Sequence, residues 1–333
     1  MKGTLLAVDV GGTKCELAIF PLAEIGGSPL VRKRYVCSEY PRFEDIVAAF
    51  LAECGIAPSH ATIDVAGVVS GGVAKFTNLD WVIAEPSLAR EFDLEAVHLI
   101  NDMTAVCASL PLLSADDVLE IQRGEEQRGQ LIGVVAPGTG LGEGLLVQTD
   151  GFFFPRGSEG GHTDFGPVDQ EQSELLRWML TRQERVSYEN LIAGPGIANL
   201  YMFYHDCLGF AELPAVEEEL KTVSDTTPVI FAHAFGACPS PLCRKVVELF
   251  LDILGAEAGN LALKLYARGG IYVGGGIIPR IVDRADFSGF LRHFRAKSQM
   301  RELMESIPVK LIRRSDAALL GAARYGMELF SGK

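Results

Sequence analysis

Three glycine-rich turns, each following an apolar run, are the first places in this sequence where chemistry could occur. Asp9-Val10-Gly11-Gly12-Thr13-Lys14 follows Thr4-Leu5-Leu6-Ala7-Val8. Gly138-Thr139-Gly140-Leu141-Gly142 follows an apolar run ending at Pro137. Gly274-Gly275-Gly276 follows Gly270-Ile271-Tyr272-Val273. Glycine lets a backbone approach a ligand closely, and successive N–H groups in such a turn form a nest for an anion. An acid beside a phosphate nest repels phosphate unless a cation lies between them, so Asp9 points to a metal–nucleotide or phosphoryl-transfer site. The first two turns, with Thr13 and Thr139, could hold β- and γ-phosphates from both sides. The Gly-x4-Gly-Lys-Ser/Thr spacing of a P-loop is absent. Gly138-x-Gly140-x-Gly142 lacks dinucleotide spacing and runs into a strand pattern, which excludes a Rossmann reading. Ordinary Gly-rich hairpins account for the same turns taken singly.

Three polar groupings could act on a substrate. Asn101-Asp102 ends the short apolar run His98-Leu99-Ile100 and precedes a helical pattern. A carboxylate there can take a proton from an alcohol attacking phosphorus, or Asp102 can simply be the helix N-cap. Ser158-Glu159-Gly160-Gly161-His162-Thr163 puts Glu and His on a loop whose glycines allow close approach to a ligand. Glu-x-x-His alone is too few ligands for a metal. Ser187-Tyr188-Glu189-Asn190 precedes Gly194-Pro195-Gly196. Carboxylates, Asn and His together suit a sugar, whose hydroxyls both donate and accept.

The elements that must position these residues read as strand, turn, strand over residues 4–20, with a third strand over 32–37. Helical spacing follows over 43–53, strand character over 61–69, a helix over 88–96, the short strand at 98–100 and a helix over 103–113. A second unit opens near Pro111 and repeats the strand, Gly/Thr turn, strand order, resuming as strand at 144–148. Helical patterns cover 170–180, 197–204, 216–223, 229–235, 242–266 and 315–329, with a strand at 270–273. Strands with crossover helices indicate a mixed α/β layer, and two similar strand–turn–strand units suggest related nucleotide-gripping halves. A chain of 333 residues suffices for two domains, and 48% hydrophobic content supplies an ample core. A net charge of −13 excludes non-specific nucleic-acid binding. Seven scattered cysteines (15, 37, 54, 107, 207, 238, 243) give no zinc pattern. No signal peptide or membrane span is visible, so the reducing cytoplasm is expected.

Taken together, these motifs resemble the bacterial glucokinase family, within the hexokinase/actin-like kinase superfamily. The resemblance covers almost the whole chain. It rests on the Asp9–Lys14 motif, Thr77-Asn78-Leu79-x-Trp81, Ile100-Asn101-Asp102, Pro137-Gly-Thr-Gly-Leu-Gly142, Ser158-Glu-Gly-Gly-His162, Tyr188-Glu-Asn-Leu191, Gly255-x-Glu257-Ala-Gly-Asn260, Gly274-Gly-Gly-Ile-Ile-Pro279 and Ala318-Leu-Leu-Gly-Ala-Ala323. It implies a two-domain actin-like ATPase (ribonuclease H-like) fold: a small α/β domain (1–110 plus 314–333), a larger α+β domain (111–313) and a cleft between them. It implies ATP-dependent phosphorylation of the glucose 6-hydroxyl in glycolysis, by a cytoplasmic homodimer using Mg²⁺. Asp102 would be the general base. Asn78, Asn101, Glu159, His162 and Glu189 would bind other hydroxyls. Gly11, Gly12, Thr13, Gly138, Thr139 and Gly140 would hold phosphates, with Asp9 orienting Mg²⁺ through water. Gly274, Gly275 and Gly276 would lie against the adenosine.

Some positions depart from the family pattern: Val68 and Asp80 stand where Pro is common, and Ser298-Gln299-Met300 where Gly-Arg-Phe is frequent. Glu143-Gly144 follows the second turn where small or apolar residues are usual, placing a charge near the phosphates. The His- and Cys-rich zinc motif of ROK relatives is absent, which favours the glucokinase branch. Kinases for other hexoses and a non-catalytic sugar-sensing regulator share this fold. The first phosphate strand starts within a few residues of Met1, leaving no room for a regulator's helix-turn-helix.

Overall fold

The computed structural model describes residues 3–24, 26–76, 81–125, 127, 129–149 and 152–330. In chain order the strands are β1 (Thr4–Val10), β2 (Lys14–Pro21), β3 (Val31–Val36), β4 (His60–Val65), β5 (Val69–Ser70), β6 (Val73–Lys75), β7 (Val82–Ala84), β8 (Ala96–Asn101), β9 (Val118–Gln122), β10 (Ile132–Pro137), β11 (Leu141–Thr149), β12 (Phe152–Ser158), β13 (Gly270–Val273) and β14 (Val309–Ile312). The helices are α1 (Phe43–Cys54), α2 (Glu85–Glu91), α3 (Asp102–Ser109), α4 (Gln170–Met179), α5 (Glu189–Ile192), α6 (Gly194–Met202), α7 (Pro214–Thr222), α8 (Thr227–Ala234), α9 (Pro241–Leu265), α10 (Ile278–Ile281), α11 (Ser288–Arg295), α12 (Arg301–Ser306) and α13 (Ala317–Phe330). The chain divides into two compact units, one of Met1–Ser114, Phe154–Gly157 and Asp316–Lys333, the other of Ala115–Phe153 and Ser158–Ser315.

The first unit is built on a five-stranded sheet in the order β3-β2-β1-β4-β8. β1 pairs antiparallel with β2 and parallel with β4, and β4 pairs parallel with β8. Successive side chains leave opposite faces of a strand, and both faces here are covered, so the strand reads as a continuous apolar run. Leu6, Val8 and Val10 pack with Phe43, Ile46, Val47 and Phe50 of α1. Leu5 and Ala7 pack instead with Ile100, Ala105 and the Leu319, Ala322, Ala323 and Met327 side of α13. A small sheet, β5-β6-β7, completes this unit.

The second unit is built on the strands β11-β10-β13-β14-β9, in that order. Its centre repeats the pattern of the first: β10 pairs antiparallel with β11 and parallel with β13, which pairs parallel with β14. The self-similarity read from the two Gly/Thr turns is thus a repeat of topology as well as of sequence. β9 adds an antiparallel edge partner to β14. The long helix α9 is N-capped by Ser240, whose hydroxyl accepts from Cys243 N at 3.1 Å. Its Gly255 and Gly259 let α11 approach with Phe290 and Phe294 against it.

Most elements fall where the sequence places them, with two kinds of difference. The helix expected over 88–96 ends at Glu91, because Asp93 adopts a left-handed φ of 51° and the chain enters β8 at Ala96. Strands β6, β7, β9, β12 and β14 and helices α10, α11 and α12 have no counterpart in the sequence reading, most of them being too short for their periodicity to stand out. Among the described residues no helix is long and apolar enough to cross a membrane.

The contact of α13 with α3 is close at Gly321, where a Cβ would overlap the carbonyl oxygen of Ala105. Gly321→Ala is therefore expected to force the two helices apart and to cost about 1–3 kcal/mol. A thermal melt of this variant should show a lowered midpoint, and an unchanged one would mean that the helix contact carries no such constraint.

Candidate active site

In the first unit, Asp9 is the last residue but one of β1 and lies directly opposite Asp64 of β4. Asp64 is buried, and neither of its oxygens has a hydrogen-bond donor in the protein. The Asp9 carboxyl is the group within reach, and such a contact requires one proton between the two acids. Burial, opposed by the contact to Asp64 and aided by Glu16, pushes Asp9 up to about 6. Burial together with Asp9 and Asp102 holds Asp64 well above the usual carboxylate range. Asp64 was missed by sequence reasoning; its only signal was a lone acid inside the apolar run Ala61-Thr62-Ile63-Asp64-Val65.

The turn after Asp9 is closed by Gly11 N donating to Lys14 O at 2.9 Å and is tied to Cys37, whose N donates to Thr13 O at 3.0 Å. Gly12 and Thr13 are exposed. Neither Gly11 nor Gly12 has a positive φ, so the backbone there does not itself demand glycine. A Cβ at Gly12 would meet nothing in the protein. What the missing side chain leaves is room for a ligand beside the N–H groups.

Asn101 and Asp102 stand at the junction of β8 and α3. The N-cap is Asn101, whose Oδ1 accepts from Met103 N at 3.0 Å and Thr104 N at 3.3 Å. This corrects the alternative in which Asp102 caps the helix. Asn101 Nδ2 also donates to Gly67 O at 3.2 Å, so its side chain is engaged in holding the junction. Asp102 is the first helical residue and accepts from Met103 N at 2.8 Å. Asn78 lies outside the described residues.

In the second unit, the turn after β10 is fastened by Gly138 N donating to Gly140 O and by Gly194 N donating to Gly138 O, both at 2.8 Å. The third glycine run lies against it. Gly274 N donates to Val135 O and Ile277 N to Pro137 O, while Gly275, at φ 78°, has no room for a Cβ because of Pro137 O. Glu189, the first residue of α5, reaches this turn: its Oε2 accepts from Leu141 N at 3.0 Å. Its Oε1 lies 3.6 Å from His162 Nδ1, and His162 Nε2 lies 3.7 Å from Glu159 Oε2. Glu159, His162 and Glu189 thus form one partly exposed chain of acceptors and donors that ends on the turn after β10.

Glu143 departs from its sequence reading. It is buried, and burial plus the neighbouring Glu257 push it up to about 8, so at neutral pH it places no charge near the phosphates. The loop carrying Glu159 and His162 rests on β11 at two successive glycines. A Cβ on Gly160 would overlap Glu143 Oε2, and one on Gly161 would overlap the backbone oxygen of Leu141. Gly161→Ala is expected to lift this loop, because a backbone carbonyl cannot yield as a side chain can. Its KM for sugar should rise by about tenfold or more, the loss of roughly one well-placed hydrogen bond to a charged group. Steady-state kinetics that leave KM for sugar unchanged would contradict the seating of the loop.

A sequence profile of the glucokinase family matches residues 6–329. The chain is 35% identical to a glucokinase of Colwellia psychrerythraea, covering 98% of this chain and 96% of that one. It is 36% identical to a glucokinase of a Nostoc species, covering 96% and 97%. A crystal structure of glucokinase from an Antarctic psychrotroph superposes with a TM-score of 0.83 at 27% identity, covering 98% of this chain and all of that one. A glucokinase of Balamuthia mandrillaris in complex with glucose shares the fold at a TM-score of 0.79 and 21% identity, covering 98% and 94%. The repeated sheet topology, the phosphate-type turns and these full-length similarities agree: the chain belongs to the bacterial glucokinase family, hexose phosphotransferases of the actin-like sugar-kinase fold.

Proposed function

We propose that this chain transfers the γ-phosphoryl group of ATP to the 6-hydroxyl of D-glucose, with Asp102 as general base. The observation that carries the reading is the double engagement of Glu189, with one oxygen on the phosphate turn at Leu141 N and the other facing His162. A sugar held by Glu159, His162 and Glu189 would then lie next to a phosphate held at Gly138, Thr139 and Gly140. Asn101, and Asn78 from the resemblance, would add further contacts to the sugar. Gly11, Gly12 and Thr13 would hold the phosphates from the first unit, and Gly274, Gly275 and Gly276 would lie along the adenosine. The two units correspond, on this reading, to the smaller and larger domains of the family, and the enzyme works as a cytoplasmic homodimer.

The sugar 6-hydroxyl gives its proton to Asp102 as its oxygen forms a bond to the γ-phosphorus, and the bond from that phosphorus to the β–γ bridging oxygen breaks, releasing ADP. Mg²⁺ neutralises charge on the phosphates when bound. Asp9 would orient it, and the buried oxygens of Asp64, with no donor beyond the Asp9 carboxyl, fit a cation nearby. Among the described residues no three acid, His or Cys side chains gather as a cage.

Asp102→Asn should lower kcat by about 10²–10⁴-fold, the usual contribution of a general base, while glucose still binds. Calorimetric glucose titration alongside turnover checks both halves, and near-normal kcat would remove Asp102 from the role. Coupled-enzyme rates across glucose, mannose, fructose and N-acetylhexosamines test the sugar. A faster rate on another hexose would reassign the substrate, and no rate on any sugar would favour a regulator.

A further inference from the structure

Beneath the loop that carries Glu159 and His162 lies a pair of acids with no role in the reaction above. Glu143, on β11 opposite Val135, is 1% exposed, and Glu257, in the middle of α9, is fully buried. Their carboxyl groups are within hydrogen-bonding reach of each other. Two facing carboxylates repel in a buried site, and one proton between them turns the repulsion into a hydrogen bond. The remaining donors go to Glu257: Asn260 Nδ2 at 2.8 Å and Lys264 Nζ at 3.5 Å. Oε1 of Glu143 has no other partner. The proton of the pair therefore sits on Glu143, and the single remaining charge is matched by Lys264.

The pair touches both halves of the sugar site. On one side, Gly160 lies directly on Glu143 Oε2, and Ser158 Oγ donates to Glu143 O at 3.4 Å. On the other, Asn260 Nδ2 donates to Tyr188 Oη at 3.0 Å, and Tyr188 immediately precedes Glu189. Lys297 Nζ donates to Asn260 Oδ1 at 2.6 Å and so braces the same network. The charged and titratable groups around Glu143 are thus Glu257 and Lys264 from α9, with Tyr188 and Lys297 beyond them.

We propose that the Glu143–Glu257 pair, sharing one proton, seats the 158–163 loop from below, which makes Glu143 a positioning residue for hexose binding. The proposal rests on Glu159, His162 and Glu189 being the sugar acceptors. Glu143 is confined between Glu257 and Gly160, so a second ionisation drives it away from Glu257 and against the loop. Burial places that ionisation at about 8. The sign for stability follows. A carboxyl raised on folding keeps its proton while the unfolded chain has lost it, so stability falls as pH rises from the ordinary Glu range to about 8.

The test compares the wild type with Glu143→Gln, which keeps volume and a donor toward Glu257 but cannot ionise, and with Glu143→Ala. From about pH 7 to about pH 9.5 the wild-type KM for glucose should rise about fivefold or more, while KM for ATP moves less than about twofold. Glu143→Gln should retain the neutral-pH KM and abolish the rise. Glu143→Ala should raise KM for glucose at every pH. A glucose KM in Glu143→Gln that climbs as in the wild type overturns the proposal, as does an Ala variant that shifts ATP and glucose equally or neither. Hydrogen exchange of the 158–163 amides, corrected for intrinsic rate, gives a readout independent of turnover. Protection should fall at alkaline pH in the wild type and hold in Glu143→Gln; identical behaviour of the two overturns the seating even if the enzyme's sugar proves not to be glucose. Absence of all hexose kinase activity with the exchange difference intact would instead fail the proposed function and leave the seating standing.

Discussion

A strand that pairs antiparallel with its hairpin partner on one side and parallel with a crossover strand on the other is the constraint behind both units. β1 does this between β2 and β4, and β10 between β11 and β13. The carboxyl end of such a strand is where a tight turn and the end of a neighbouring parallel strand must come together, and ligands of open α/β sheets favour those ends. In the first unit this brings Asp64 beside Asp9, with Asn101 paired to Val65 one residue further along. In the second it brings the 274–276 run beside the 138–140 turn. The site residues are therefore consequences of strand pairing first and of loop shape second.

The hairpins and their turns were legible because apolar runs broken by glycine and threonine are local signals. Asp102 was legible from its place at a strand end, yet the cap fell to Asn101, and only the hydrogen bonds to Met103 and Thr104 distinguish the two. Asp64 and Glu257 carried no visible function, because an acid inside a strand or helix says nothing about which acid will face it. Those pairings join residues 55 and 114 positions apart by number, Asp9 with Asp64 and Glu143 with Glu257. Glu143 was noticed as a departure, but its charge state depends on burial and on a partner from another element. The edge strand β9 and its partner β14 stayed hidden for a related reason: their pairing closes a long chain excursion that leaves no local pattern.

Buried carboxyls are costly unless something compensates them. Here the compensation differs between the two pairs. Glu257 receives Asn260 and Lys264, so the Glu143 pair is settled within the protein once it holds a proton. Asp64 has only the Asp9 carboxyl within reach and receives no donor from any other group of the protein. A site that meets its electrostatic needs internally serves as scaffolding, whereas one left unmet favours an incoming cation.

The path of the chain through the first unit has a consequence for biosynthesis. β1 leaves the ribosome long before α13, which covers Leu5 and Ala7 on one of its faces. All of the second unit's residues are made in between. The early strand must therefore wait, with apolar surface uncovered, while about three hundred residues emerge, a delay of about 15–60 s at ordinary elongation rates. A chain terminated before α13 would leave the Leu5 and Ala7 face of β1 without its helical cover.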